Sequence, residues 1–188
     1  MKNIEIEFKV MVSEKNFQYL LFKMKEKNKN DDFFIQENVY FDTIHFALKK
    51  NHLSLRIRYI QNKNEYILTL KENLTEGKLE HEFTVTGLNI QSCANGIQDI
   101  LNPYHVSIND LIEIARLTTK RTQFKFSNDT IICFDENFYY DQKDYEIECE
   151  STSMLKAQNV LTLLCKQYQI PFQVSKESKS LRAIKNKK

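Results

Sequence analysis

Along several stretches of this chain, charged residues recur at every second position, and their doublets are segregated by sign. Glu5 and Glu7 alternate in IEIEFKV and are followed by Lys9. Arg56 and Arg58 alternate in LSLRIRY, Glu80 and Glu82 in KLEHEF, and Glu146, Glu148 and Glu150 in YEIECE. Lys71 ends YILTLK, Arg121 follows Thr119 in LTTKRT, and Asp135 ends IICFD. A period of two places alternate side chains on one face of a β-strand. Glu5 and Glu7 therefore share a face, roughly 7 Å apart, where they repel. A single doublet of this kind reads as solvated surface, where charges are ordinary and exposed pairs contribute little. The whole set reads differently, because like charges on neighbouring positions are unfavourable and surface faces usually mix signs. Clustered carboxylates suit a hard divalent cation such as Mg²⁺ or Mn²⁺. Clustered Arg and Lys suit phosphate oxygens, with Arg offering a bidentate fork. Together they describe a site for a metal–polyphosphate complex.

The elements that must position these residues follow from the same periodicities. Strands are expected over 2–12, 34–42, 53–61, 64–73, 78–86, 115–127, 130–136 and 144–151. Gln61–Asn64, Thr75–Gly77 and Ser127–Asp129 read as turns between them. Ser13 caps an expected helix over 14–28 that ends in a polar break at 28–32, and a second helix runs from Ser153 to Gln169, ended by Pro171. Residues 89–113 read as irregular helix broken at Asn102-Pro103, and a last short helix spans 176–184. About eight strands joined mostly by short turns predict a curved or closed antiparallel sheet. The helices are available to cover the apolar strand faces. The charged faces then line an enclosed space rather than meet bulk water.

Bulk properties narrow the class. With 188 residues the prior is one domain with a sizeable core. A net charge of +2 argues against a general nucleic-acid or membrane binder. No apolar run approaches the roughly 20 residues that span a bilayer, and no signal-peptide pattern follows Lys2 and Glu5. Cys93, Cys133, Cys149 and Cys165 form no CxxC pair, and His45, His52, His81 and His105 lack ligand spacing. Reduced thiols in a cytoplasmic protein are the expectation. The chain has only three glycines, and Gly77-Lys78 lacks the rest of a P-loop, so bound phosphates would be held by side chains.

The ordered set of residues resembles the CYTH, or triphosphate tunnel metalloenzyme, superfamily. Glu5-x-Glu7-x-Lys9 resembles its ExExK signature. Tyr40–Thr43, Leu53–Arg58, Leu68–Lys71, Glu80-x-Glu82, Thr119-x-Arg121, Asp135 and Glu146–Glu150 follow its pattern in order, and Ser178–Arg182 resembles its closing helix. The resemblance is strongest to the bacterial branch that groups inorganic triphosphatases with adenylate cyclase-like proteins. It implies an α+β, mainly antiparallel fold: a closed eight-stranded barrel, or triphosphate tunnel, with helices outside, in a single domain over 1–188. It implies a metal-dependent triphosphatase whose substrate is a small triphosphate, inorganic tripolyphosphate first, with ATP and thiamine triphosphate as further candidates. Class IV cyclase chemistry and a non-catalytic triphosphate-binding module remain open, and so does a homodimer. By the same resemblance, Lys9, Arg56, Arg58, Lys71, Arg121, Lys179 and Arg182 contact triphosphate. Glu5, Glu7, Asp135, Glu148 and Glu150 hold Mg²⁺ or Mn²⁺. Glu80 and Glu82, with Lys9, serve catalysis by completing the lining or positioning the attacking water. Lys185, Lys187 and Lys188 read as a solvated tail.

Overall fold

The structure is a computed structural model that describes residues 2–29 and 32–187. Asn30 and Asp31 of the expected polar break, and Lys188 of the expected tail, lie outside the described residues. The elements in chain order are β1 (Lys2–Glu5), β2 (Glu7–Met11), α1 (Glu14–Asn28), β3 (Phe34–Thr43), α2 (Ala47–Lys50), β4 (Leu53–Ile60), β5 (Glu65–Asn73) and β6 (Lys78–Val85). They continue with α3 (Ala94–Leu101), β7 (Leu111–Ser127), β8 (Thr130–Tyr139), β9 (Gln142–Glu150), α4 (Met154–Gln167), β10 (Gln173–Val174) and α5 (Lys179–Asn186). Short 3₁₀ turns flank α3.

All strands belong to one ten-stranded antiparallel sheet in the order β1-β6-β5-β4-β3-β7-β8-β9-β2-β10. This corrects the expectation of eight strands. The N-terminal run is not one strand over 2–12: it pairs with β6 up to Glu5 and with β9 from Glu7. The change of partner falls at Ile6, whose carbonyl accepts from Ser151 N at 3.0 Å. β10 adds a short strand on the far edge of β2. Because β1 and β2 are separated by one residue in the chain yet have seven strands between them in the sheet, the sheet must curl back toward itself. Gly77, in the β5–β6 turn, sits at this seam with φ +81°, and a Cβ there would lie 2.5 Å from the Glu5 carbonyl oxygen.

The helices cover the apolar outside of the curled sheet, as the alternation predicts. Phe17 and Leu20 of α1 and Leu161 of α4 pack on Val10, Phe134 and Ile147. Ile97 and Leu101 of α3 and Leu48 of α2 pack on Leu55, Ile57, Leu68 and Leu70. α5 differs: Ala183 packs on Tyr40, Ala115 and Leu117, which share a face with the charged residues, so this helix covers one end of the enclosed space. Ser13, Ser153 and Ser178 cap α1, α4 and α5, each accepting a backbone N–H at 3.2–3.3 Å. The region expected as irregular helix is shorter than 89–113, because β7 begins at Leu111. Strand pairing of Leu111 and Ile112 with Thr43 and Asp42 overrides the helical pattern there.

Candidate active site

The polar faces of β1–β7 and β9, with α5, line a cavity of about 650 Å³. Cross-strand register decides what each charged side chain faces. Arg121 stands opposite Asp135, Lys9 opposite Glu148, Lys71 opposite Glu80, and Glu5 opposite Lys78. Charges that repeat along a strand therefore alternate across strands, and most find a partner. Lys71 Nζ lies 2.5 Å from Glu5 Oε2 and also contacts Glu80. Lys78 Nζ lies 2.6 Å from Glu7 Oε1, and Lys9 Nζ lies 3.0 Å from Glu7 Oε1 and 2.8 Å from Glu148 Oε1. Arg121 grips Asp135 with both Nε (2.7 Å) and Nη2 (2.6 Å) and also contacts Glu148.

One corner gathers carboxylates. Oxygens of Asp135, Glu146 and Glu148 lie within 4.8 Å of one another, with the three residues 0%, 0% and 2% exposed. An all-oxygen donor set of this kind fits a hard divalent cation. In this structure a lysine ammonium reaches the cluster: Lys179 Nζ lies 2.6 Å from Asp135 Oδ2 and 2.8 Å from Glu148 Oε1, and contacts Glu146. Burial pushes the Glu148 carboxyl up, but Lys179, Lys9 and Arg121 outweigh it and hold it well below the usual carboxylate range. Glu7 is likewise held low, by Lys9 and Lys78 against burial. Glu150 goes the other way, raised by burial and by Glu148, Glu5 and Glu7 despite Arg121.

The opposite imbalance lies on β4. Arg56 and Arg58 line the cavity, and neither makes an ion pair with a carboxylate among the described residues. Arg58 Nε donates to Asn38 Oδ1 at 2.8 Å, while Arg56 Nε is buried without a partner. Burial, then the Arg56 and Arg121 guanidinium groups, push Arg58 down to about 10. Lys71 is lowered by burial and by Arg56. A wall of cations in excess beside a corner of carboxylates is the arrangement that a metal-bound polyanion would neutralise.

Residues 3–184 match the family described as the CYTH domain. The chain belongs to the CYTH family. "Putative triphosphatase YjbK" of Bacillus subtilis (strain 168) is 34% identical over 191 residues, 100% of this chain and 97% of its own. Among solved structures, a "putative adenylate cyclase" of Bacillus halodurans superposes with a TM-score of 0.84 at 33% identity, covering 96% of this chain and 97% of that one. "Putative adenylyl cyclase HpAC1" of Hippeastrum, described with a dominant triphosphatase activity, superposes with a TM-score of 0.77 at 22% identity over 98% of this chain and 97% of its own. At that identity the likeness is one of fold.

In this CYTH chain twelve of the fourteen expected site residues line the cavity: Glu5, Glu7, Lys9, Arg56, Arg58, Lys71, Glu80, Glu82, Arg121, Glu148, Glu150 and Lys179. Asp135 lies behind this lining, fully buried against Arg121 and Lys179. Arg182 is not in the lining. Its Nε lies 2.7 Å from Asp144 and its Nη2 2.7 Å from Glu146, and Nη1 donates to the Glu177 carbonyl at 2.9 Å. These contacts tie α5 to β9 and place Arg182 beside Glu146 of the carboxylate corner, outside the cavity lining. The five expected metal ligands are not one cluster. Asp135 and Glu148 meet Glu146, whereas Glu5, Glu7 and Glu150 lie along the cavity against Lys71, Lys78 and Arg121. Sequence reasoning missed Glu146 as a member of the cluster and Lys78 as a lining residue. Both were signalled by parity: Glu146 shares a face with Glu148, and Lys78 with Glu80 and Glu82.

Proposed function

We propose that this protein is a divalent-metal-dependent triphosphatase that cleaves the terminal phosphoanhydride of a small triphosphate inside its charged cavity, with inorganic tripolyphosphate the first substrate. The observation that carries this reading is the Arg56–Arg58 wall: two neighbouring guanidinium groups without carboxylate ion pairs among the described residues, lining a cavity that also meets Glu148 of the buried carboxylate cluster. The name of the Bacillus subtilis relative supports the same class. In this reading the sheet is a closed barrel of eight strand positions, β1 and β2 counting as one strand interrupted at Ile6.

Phosphoryl transfer asks a protein mainly for positioning and charge neutralisation. Arg56, Arg58 and Arg121 bind phosphate oxygens, with Lys9 and Lys71 completing the cradle. Asp135, Glu146 and Glu148 hold Mg²⁺ or Mn²⁺, which when bound neutralises charge on the transferring group. Glu5, Glu7 and Glu150 extend this acidic side. Burial raises the Glu80 carboxyl, but Lys71 and Arg56 bring it below its ordinary value, so it stays ionised at neutral pH and accepts hydrogen bonds. Glu80 thereby orients the attacking water rather than donating a proton, and Glu82, two residues on along the same strand face, completes the acidic lining. One end of the cavity is lined by Phe34, Gln36, Ile60 and Gln123. A phenyl ring and two carboxamides suit an organic group on the triphosphate, so ATP and thiamine triphosphate belong in the assay.

Phosphorus NMR of tripolyphosphate, ATP and thiamine triphosphate with Mg²⁺ or Mn²⁺ tests the proposal. The expected result is orthophosphate and pyrophosphate from tripolyphosphate, faster than ATP is consumed, and no cyclic AMP. Cyclic AMP as the main product from ATP, with tripolyphosphate only inhibiting, would replace the triphosphatase with a cyclase. Tight binding without turnover of any of the three would leave a binding module.

A further inference from the structure

Lys179 is the first residue of α5, and its ammonium occupies the carboxylate corner. Nζ lies 2.6 Å from Asp135 Oδ2 and 2.8 Å from Glu148 Oε1 and touches Glu146, the same three residues whose oxygens lie within 4.8 Å of one another. A divalent cation on such a triad sits about 2.0–2.6 Å from its oxygens. The ammonium and the metal therefore need the same space, and they repel. For a metal to enter, the ammonium must leave.

The helix itself is held in place. Ala183 packs on Tyr40, Ala115 and Leu117, and Arg182 pairs with Asp144 and Glu146. The Lys179 side chain borders the cavity, and swinging it toward the cavity leaves those helix contacts intact. The lining holds Lys9, Arg58 and Arg121 beside carboxylates that already contact Lys71, Lys78 or Arg121, so an ammonium moving there without an anion gives up three carboxylate contacts for a space that holds three other cations. With a phosphate chain against Arg56 and Arg58, the same movement gains charge-assisted hydrogen bonds.

Building on the triphosphatase reading, we infer that Lys179 is a specificity-determining residue: its ammonium closes the Asp135–Glu146–Glu148 cage to a free divalent cation and yields only to the phosphate chain of a triphosphate. Metal and triphosphate are then coupled through one side chain, and the coupling is reciprocal, each raising the affinity for the other by the same factor. Direct coordination between metal and phosphate gives some coupling in any such site. The distinctive expectation concerns the metal alone.

The test is Mn²⁺ binding, read by electron paramagnetic resonance of free Mn²⁺, with and without a methylene-bridged tripolyphosphate analogue that resists hydrolysis. Wild type should bind Mn²⁺ alone at least about tenfold more weakly than in the presence of the analogue, within the usual range of coupling. Lys179→Met, which keeps the stem and removes the charge, should bind Mn²⁺ alone about tenfold more tightly than wild type, with its coupling to the analogue reduced. Lys179→Gln serves the same purpose should the methionine variant fail to fold by circular dichroism. Lys78→Met removes a cavity charge that touches Glu7 but not the triad, and should tighten Mn²⁺ binding less than about threefold. The inference is overturned if wild type takes up Mn²⁺ alone as tightly as with the analogue, if the Lys179 variants bind it no better than wild type, or if Lys78→Met tightens it as much. In those cases the triphosphatase reading stands. If no form binds either Mn²⁺ or the analogue, both that reading and this inference fall.

Discussion

Arg58 offers the sharpest trial of the charged-cavity reading, because its cost to the fold and its use to a ligand have opposite signs. Its pKa falls from 12.5 to about 10, chiefly through burial and then through Arg56 and Arg121. At about 1.36 kcal/mol for each tenfold change in proton affinity, the charge costs the folded state about 3 kcal/mol. Replacing Arg58 by Met keeps most of the stem and removes that cost. Against it stands the lost bond to Asn38 Oδ1, a buried amide that is 2% exposed. That loss is worth about 1–2 kcal/mol. The net expectation is a variant more stable by about 1–2 kcal/mol without ligand, a rise in melting temperature of roughly 2–8 °C for a chain of this size. The sign with pH follows from linkage. A base whose folded pKa is depressed carries its full penalty below the folded value, and the penalty disappears only as pH rises from about 10 toward 12.5. The difference between variant and wild type should therefore stay flat from pH 6 to 9. Tripolyphosphate in chelator, at a hundred times its dissociation constant, should stabilise wild type by about 2.7 kcal/mol. Arg58→Met loses charge-assisted bonds worth about 1.5–3 kcal/mol, so most of that shift should vanish. Differential scanning fluorimetry reads both effects. A variant that melts below wild type, together with a wild type that does not respond to tripolyphosphate, would make Arg58 structural and refute the reasoning.

Three further outcomes follow from the same geometry. Chelator should abolish phosphate release, and Glu7→Gln or Glu148→Gln should lower kcat at least about tenfold in a steady-state assay, since each removes a charge while keeping shape; full activity in chelator would refute the metal assignment. Gly77→Ala should lower the melting temperature by several degrees, because φ is +81° and the new Cβ would press on the Glu5 carbonyl at 2.5 Å; an unchanged melting curve would mean that the β1–β6 seam is looser than described. Glu7, Glu80 and Glu148 all have depressed carboxyl pKa values, so the stability they contribute is complete above about pH 4.5 and is lost as pH falls through their folded values. Acid titration of wild type and Glu148→Gln by circular dichroism should therefore show a shallower loss below about pH 4.5 in the variant, and parallel curves would remove Glu148 from the network.

Much of the candidate site was legible in the chain because a strand has a strict period of two. Glu5 and Glu7, Arg56 and Arg58, Glu80 and Glu82, and Glu148 and Glu150 were assigned to shared faces by parity alone, and the structure places all eight around the cavity. The capping serines at 13, 153 and 178 lie where helices begin, since the first turn of a helix needs an acceptor for its free N–H groups. That Arg182 lies outside the cavity lining was not legible for a local reason: it stands three residues after Lys179, so both lie on the same face of α5 and both reach Glu146, and only the seating of α5 decides which one borders the cavity. The division of the N-terminal strand at Ile6 was equally invisible, because alternation persists through a change of strand partner.

Sequence alone determined which side chains share a face and that each charged doublet carries one sign. Tertiary structure decided which charge opposes which. The apolar alternation fixes register only to within a two-residue step, and turn geometry, which leaves no periodic trace, decides the rest. The register brings Arg121 against Asp135 and Lys9 against Glu148, yet leaves Arg56 and Arg58 facing Tyr40 and Asn38 on β3. Two arginine doublets with the same spacing could be neutralised or left in excess, depending on the neighbouring strand. Here the excess lies on β4, and a lysine some 40 residues downstream of Asp135 in sequence reaches back to fill the carboxylate corner. That long-range placement gathers an excess of cations and a carboxylate corner around one cavity.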